Sequence, residues 1–136
     1  MASDLKMTYR DRHWLLTEQS AAELHGLADG AIVVDKVGRI IFANENAVVM
    51  HGRLALGVEP GDYSLMHGLF TEDGRPYPSE DLPLARAVLK GETVIGARWR
   101  IRRPDGSMIT AIGDARPITK ENGDQNGAIL VFREVI

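Results

Sequence analysis

The sequence contains no cysteine among its 136 residues. Disulfides, thiolate metal sites, cysteine nucleophiles and cysteine-linked chromophores are therefore excluded. It also lacks any run of roughly 18 apolar residues, the length that would suggest a membrane span. The first residues, MASDLKMTYRDRHW, have no apolar centre of the kind found in a signal peptide. These absences predict a cytoplasmic protein with no direct membrane insertion.

Positive charge is also scarce. The formal net charge is −3, and only one strand-like run is locally basic, through Arg98, Arg100, Arg102 and Arg103. A nucleic-acid-binding domain normally carries an extended basic patch or stripe. Four arginines in one short run are too few to follow a phosphate backbone, so no nucleic-acid partner is predicted.

What the sequence does contain is the composition of a single globular domain. Apolar residues make up 44% of the chain and charged residues 26%, both ordinary values for such a domain. A chain of this length buries roughly 65–70% of the surface that its unfolded form exposes. It therefore needs no metal or disulfide to fold.

The first part of the chain predicts a long helix, from Asp4 to about Gly26. It has no internal proline or glycine, Ser3 or Asp4 can cap it, and Gly26 is a natural stop. About 20 helical residues span roughly 30 Å. We therefore divide the chain into a flanking helix, residues 1–26, and a domain, residues 27–136. The helix either lies on the domain surface or serves dimerisation and signal transmission.

Five segments of the remaining chain predict β-strands. The clearest has Ala97, Trp99 and Ile101 alternating with arginines, the period of a half-buried strand. The five segments are Ala31–Asp35, Ile40–Ala43, Glu92–Arg103, Ser107–Ile118 and Ala128–Val135. Short helices are predicted between the second and third strands: one capped by Asn44, one around Tyr63–Leu69, and one from Leu82 to Lys90 capped by Asp81. This order predicts an α+β domain, one antiparallel sheet with helices against one face.

Particular motifs in this order resemble the PAS family over about residues 24–136. They are Asn44-Glu45-Asn46-Ala47, the run LFTEDGRPYPSEDLPLARA, and Arg102-Arg103-Pro104-Asp105-Gly106 before the penultimate strand. The resemblance implies a five-stranded antiparallel sheet with short helices on one face, often enclosing a small-molecule pocket. One departure is Glu134-Val135-Ile136, which stands where many PAS domains have Asp-Ile/Val-Thr. The missing cysteine excludes a flavin–cysteine adduct.

Family geometry turns the apolar face of the third strand toward the pocket. It follows that Trp99 lines the pocket, either stacking on a ligand or filling the core. Tyr63, Met66 and Phe70 are predicted to line the same cavity. His67 is the one histidine retained as a possible cofactor ligand, against the alternative of a structural histidine. His13, His25, His51 and His67 lack metal-ligand spacing, so no metal site is predicted.

The resemblance implies a sensory and protein-interaction domain of a bacterial signalling protein. It would respond to a small molecule or a partner and relay the change to an effector. A homodimer is expected, through the N-terminal helix, the sheet face, or both. No cofactor is assigned and no residue is given a catalytic role. The alternatives are a ligand-free dimerisation module, a haem or non-covalent flavin sensor, and an α+β enzyme using Asp35 or Asp114 as a base.

Overall fold

The computed structural model describes residues 26–119 and 122–136, which form one antiparallel sheet of six strands with helices against it. The strands are β1 (Gly30–Val34), β2 (Ile40–Ala43), β3 (Leu69–Phe70), β4 (Val94–Arg102), β5 (Met108–Thr119) and β6 (Gln125–Val135). Their order in space is β2-β1-β6-β5-β4-β3, so the last strand lies between β1 and β5. The predicted antiparallel pairing of the last three strands is confirmed.

Three short helices lie between β2 and β4 in the chain. They are α1 (Glu45–His51), α2 (Tyr63–His67) and α3 (Pro83–Lys90). All three contribute buried residues to one large apolar core, together with the inward side chains of the sheet. A smaller apolar cluster lies on the opposite sheet face, where Ala31, Val33, Ile118 and Ile129 are buried. The helices of the described residues thus pack against one face, as predicted.

Asn44 ties the start of α1 to β1. Its side-chain oxygen accepts hydrogen bonds from the backbone N–H groups of Ala47, at 3.0 Å, and Ala31, at 2.8 Å. Its side-chain amide donates to the carbonyl of Asp29 at 3.0 Å. An aspartate could cap the helix but could not make the last of these bonds. The predicted cap is confirmed, and it also holds a helix against a strand.

The structure corrects two local predictions. The sheet has six strands rather than five, because Leu69 and Phe70 pair with Ile101 and Arg100 of β4. Two residues are too short a segment to show a strand period in the sequence. Asp81 does not cap α3: it ends a short 3₁₀ turn, Leu82 is the N-cap residue, and no side chain of the described residues caps the helix. Pro83 begins the helix, where its missing N–H costs no hydrogen bond.

The predicted N-terminal helix lies, except for Gly26, outside the described residues. Among the residues that are described, no helix has the length and apolar character needed to cross a membrane. The division into residues 1–26 and 27–136 stays a prediction.

Candidate functional site

A small cavity of about 30 Å³ lies between the sheet and the three helices. Strands β1 to β4 and β6 each contribute a lining residue, as do α1, α2 and the start of α3. Seven of the lining residues are apolar: Ile32, Ile40, Leu69, Leu82, Pro83, Leu84 and Leu130. The other four are His51, Tyr63, His67 and Trp99. The cavity is thus a mainly apolar space with a few polar groups, the usual composition of a small-molecule site.

His67 supplies the most distinctive group in this lining. It is only 3% exposed, and its Nδ1 lies 3.1 Å from the carbonyl oxygen of Tyr63. A carbonyl can only accept, so Nδ1 carries the proton and Nε2 carries a lone pair. That Nε2 is buried and has no hydrogen-bond partner among the described residues. An unpaired buried acceptor costs about 1–3 kcal/mol, which a donor entering the cavity would offset.

Burial keeps His67 neutral. It lowers the pKa of the ring below its ordinary value of 6.5, against the opposing hydrogen bond to Tyr63, and the positive charge of Arg53 lowers it further. At neutral pH the ring therefore presents an acceptor and not a second donor. Nε2 of His67 therefore favours a ligand with a hydrogen-bond donor. Because the ring is neutral, it offers no positive charge to an anion.

His51 is the second histidine of the cavity and the end of α1. Its Nδ1 donates to the carbonyl of Ala47 at 2.8 Å, and burial lowers its pKa to about 4. The His51 ring makes edge contacts with His67, at a centroid distance of 5.7 Å, and with Phe132, at 5.4 Å. The ring centroids of Trp99 and Phe132 are 5.7 Å apart. Four aromatic rings from α1, α2, β4 and β6 therefore meet beside the cavity.

Tyr63 connects α2 with the turn between β1 and β2. Its hydroxyl donates to the carbonyl oxygen of Gly38, and burial, aided by the nearby Asp35 charge, raises its pKa. Gly38 has φ +91°, and a Cβ there would approach Pro60 Cγ to 2.3 Å. Only glycine lets the turn come this close to α2. One wall of the cavity is thereby fixed to the first hairpin of the sheet.

The structure brings three of the five predicted site residues together. Trp99, Tyr63 and His67 all line the cavity. Met66 does not: it is 44% exposed on the outer side of α2. Phe70 lies on the other face of the sheet, where the guanidinium of Arg102 sits 4.9 Å from its ring centroid. Tyr63 and His67 are both buried, at i, i+4 of this five-residue helix, whereas Met66, three residues after Tyr63, is not buried.

Sequence reasoning did not select His51. A signal was present: Ala47, Met50 and His51 have the i, i+3, i+4 spacing of one helix face, and all three are buried. This spacing indicates that His51 lies on the buried face of a short capped helix.

The cavity volume does not fit a haem or a flavin. His67 offers a free Nε2 of the kind that can bind iron, but about 30 Å³ holds only a water-sized group. Pockets for drug-sized ligands typically measure about 300–1,000 Å³. Within the described residues, no group of three or more metal-binding side chains is arranged around one point.

The two carboxylates considered as bases both accept hydrogen bonds from backbone N–H groups. Asp35 Oδ1 accepts from Arg39 at 2.9 Å and from Val37 at 3.1 Å, within the turn after β1. Asp114 Oδ1 accepts from Gly96 at 2.8 Å, at the bulge in β4. Neither residue lines the cavity with the histidines.

The sequence matches the model of a known family. The model of the PAS fold matches residues 18–135. The chain belongs to the PAS family. A search of curated protein sequences found no match to this PAS domain.

Solved structures agree on the fold. A PAS domain from Colwellia psychrerythraea is 21% identical, with a TM-score of 0.57, over 87% of this chain and 95% of that one. A PAS domain from a two-component sensor histidine kinase is 8% identical, with a TM-score of 0.57, over 87% of this chain and 95% of that one. The PAS domain of the fruit-fly ELK potassium channel is 11% identical, with a TM-score of 0.66, over 89% of this chain and 98% of that one. These likenesses show the PAS fold, which this chain shares with PAS domains that include one from a sensor histidine kinase.

Proposed function

We propose that this PAS domain is a cytoplasmic sensory module of a bacterial signalling protein. A small molecule binds in the cavity and shifts the domain between two arrangements of sheet and helices. An effector elsewhere in the signalling system reads the difference. The domain itself has no catalytic role in this proposal, and Asp35 and Asp114 do not line the cavity.

The observation that carries this proposal is the unpartnered Nε2 of His67 beside an apolar cavity. It favours a small, neutral ligand with an N–H or O–H donor on an apolar body. Because the cavity measures only about 30 Å³, such a ligand must open it. Binding would therefore be coupled to movement of the cavity walls. A ligand shifts a conformational equilibrium only through such a difference in affinity between two states.

The contacts of the cavity offer a route for this change. Tyr63 connects α2 with the turn at Gly38. On the other side, Leu130 of β6 lines the cavity, and β6 pairs with both β1 and β5. A ligand that displaces α2 would thus act on the first hairpin, and one that displaces Leu130 would act on the centre of the sheet.

Native mass spectrometry of the full chain, freshly purified from cells, tests whether a molecule is retained. We expect a mass increment on the wild-type protein that is absent from His67→Phe, which keeps a ring but removes the acceptor. An increment of the same size on both proteins would place the molecule elsewhere.

A second function is favoured by the small size of the cavity. A core with only about 30 Å³ of free space also suits a dimerisation module that binds no ligand. Such a module would be dimeric, without a mass increment, and would not respond to small donors. We propose a homodimer in either case, through the N-terminal helix, the sheet face, or both.

A further inference from the structure

Four arginines are grouped on the sheet face that is turned away from the helices. The strand register places Arg98 opposite Ile112, and Ile112 opposite Arg133. The next row is Arg100, Thr110 and Val135, and then Arg102 with Met108. Cross-strand partners point to the same side of a sheet. We call this region the arginine face: Arg98, Arg100, Arg102 and Arg133, around Met108, Thr110, Ile112 and Val135.

The positive charge of this face is almost uncompensated. Arg98 Nη1 lies 4.0 Å from Glu72 Oε2, with both side chains about half exposed at 45% and 59%, and such pairs contribute little. Arg102 lies over the ring of Phe70. Among the described residues, Arg100 and Arg133 form no ion pair. The chain as a whole has a net charge of −3, so the face is opposite in sign to the molecule.

Two carboxylates mark the end of the arginine face toward β1. Asp114 lies beyond Ile112 and is hydrogen-bonded to the backbone of Gly96. Asp29 lies near it, and both line a depression of about 210 Å³ with Ile112 and Arg133. The arginine face is therefore basic and partly apolar along β4 and the adjoining halves of β5 and β6, and two carboxylates border it at this end.

We propose that the arginine face binds an acidic, amphipathic helix of a partner protein. Alternate residues of a strand lie about 6.6 Å apart, which sets the spacing of Arg98, Arg100 and Arg102. Carboxylates at i, i+4 and i+8 of a helix lie about 6 Å apart along its axis. Each arginine can then bind a carboxylate through two N–H groups. Apolar residues of the same helix would pack on Ile112 and Val135.

Charge complementarity selects this occupant over a second copy of the chain at the arginine face, so a homodimer formed through the sheet would use the remainder of the sheet face. A two-fold contact presents the same patch from both subunits. Two arginine faces would then bring eight guanidinium groups together, and like charges across an interface cost several kcal/mol. An acidic partner removes this cost. The proposal does not depend on the cavity or its ligand.

Fluorescence anisotropy with a labelled synthetic helical peptide tests the proposal. The peptide carries Glu at i, i+4 and i+8 with Leu on the adjoining face, and a matched peptide carries Lys instead of Glu. We expect the full chain to bind the Glu peptide alone, more weakly as salt rises. Arg100→Glu and Arg133→Glu should each weaken binding by roughly tenfold or more. Lys36→Glu, the same charge change in the exposed turn after β1, should leave it unchanged.

Three outcomes would overturn the proposal. The first is that the Glu peptide does not bind the wild-type chain. The second is that Arg100→Glu and Lys36→Glu weaken binding of the Glu peptide equally. The third is that the Lys peptide binds as well as the Glu peptide. Sedimentation of the same variants adds a fourth: if Arg100→Glu abolishes self-association, the arginine face is an interface between copies. Circular dichroism of each variant verifies its fold, so that a loss of binding is not a loss of structure.

Discussion

His51 and His67 are buried bases held neutral by their surroundings. Burial is the largest cause of the lowered pKa in both rings, and each ring donates to a backbone carbonyl four residues earlier. This shared geometry fixes the proton on Nδ1. The same burial that makes His67 a selective acceptor also makes both residues sensitive to acid.

The free energy of unfolding should fall as the pH is lowered from about 6.5 toward 4. The folded-state pKa of His51 is lowered from 6.5 to about 4, so between these values the unfolded chain binds a proton that the folded chain does not. The contribution of neutral His51 to the free energy of unfolding is fully present above pH 6.5. It decreases by about 3 kcal/mol as the pH falls toward 4. His51→Phe keeps a ring but cannot titrate, so it should lose less stability over this interval. Urea unfolding at several pH values measures this, and parallel curves for the two proteins would contradict it.

Of the side chains in the site, those marked by a strong local period could be predicted. Trp99 alternates with arginines along β4, and this placed it on the buried face. Met66 and Phe70 could not be assigned in the same way, because α2 has five residues and β3 two. Elements this short are held by tertiary contacts, such as the pairing of Phe70 with Arg100, and these leave no periodic pattern in the sequence.

The central strand β6 depends on two glycines beside Phe132. Gly30 of β1 and Gly113 of β5 both lie opposite Phe132 in the register. A Cβ on Gly113 would come within 2.5 Å of Phe132 Cβ and 2.6 Å of the Val131 carbonyl oxygen. The absence of a side chain at both positions leaves room for the ring that contacts His51 and Trp99.

Gly113→Ala should therefore lower the free energy of unfolding by about 1–3 kcal/mol, the usual cost of overpacking a core. Gly61→Ala is the matched control, because a Cβ there meets nothing within 4 Å and its φ is not positive. Urea unfolding at neutral pH compares the two variants with the wild type. Equal effects would show that β5 and β6 can separate to accommodate the methyl group.

For the molecule as a whole, the fold class could be predicted from turns, caps and strand periods in their order along the chain, and the family from motifs that resemble those of PAS domains. The order of strands in the sheet could not, because pairing of β1 with β6 joins residues about a hundred positions apart, such as Gly30 and Phe132. Structural relatives share the fold at identities of 8–21%. The fold therefore tolerates extensive sequence change.

Removal of residues 1–22 should weaken dimerisation more than folding. The described core is formed within residues 26–119 and 122–136, so the truncated chain keeps it. Sedimentation velocity over a concentration series measures the dimer, and urea unfolding measures stability. A truncated chain that remains an equally tight dimer would show that the sheet carries the interface instead.

The most direct test of the cavity as a sensing site uses two small rings of nearly the same shape. Pyrrole has one N–H donor, and furan has an oxygen in its place. Amide NMR spectra of the full chain are recorded with each ring added to the wild type and to His67→Phe. We predict that pyrrole shifts the signals of the cavity residues of α1, α2 and β6 in the wild type, and that furan and the variant give much smaller shifts. Equal shifts with pyrrole and furan, or none at the cavity, would contradict a sensing site built on His67.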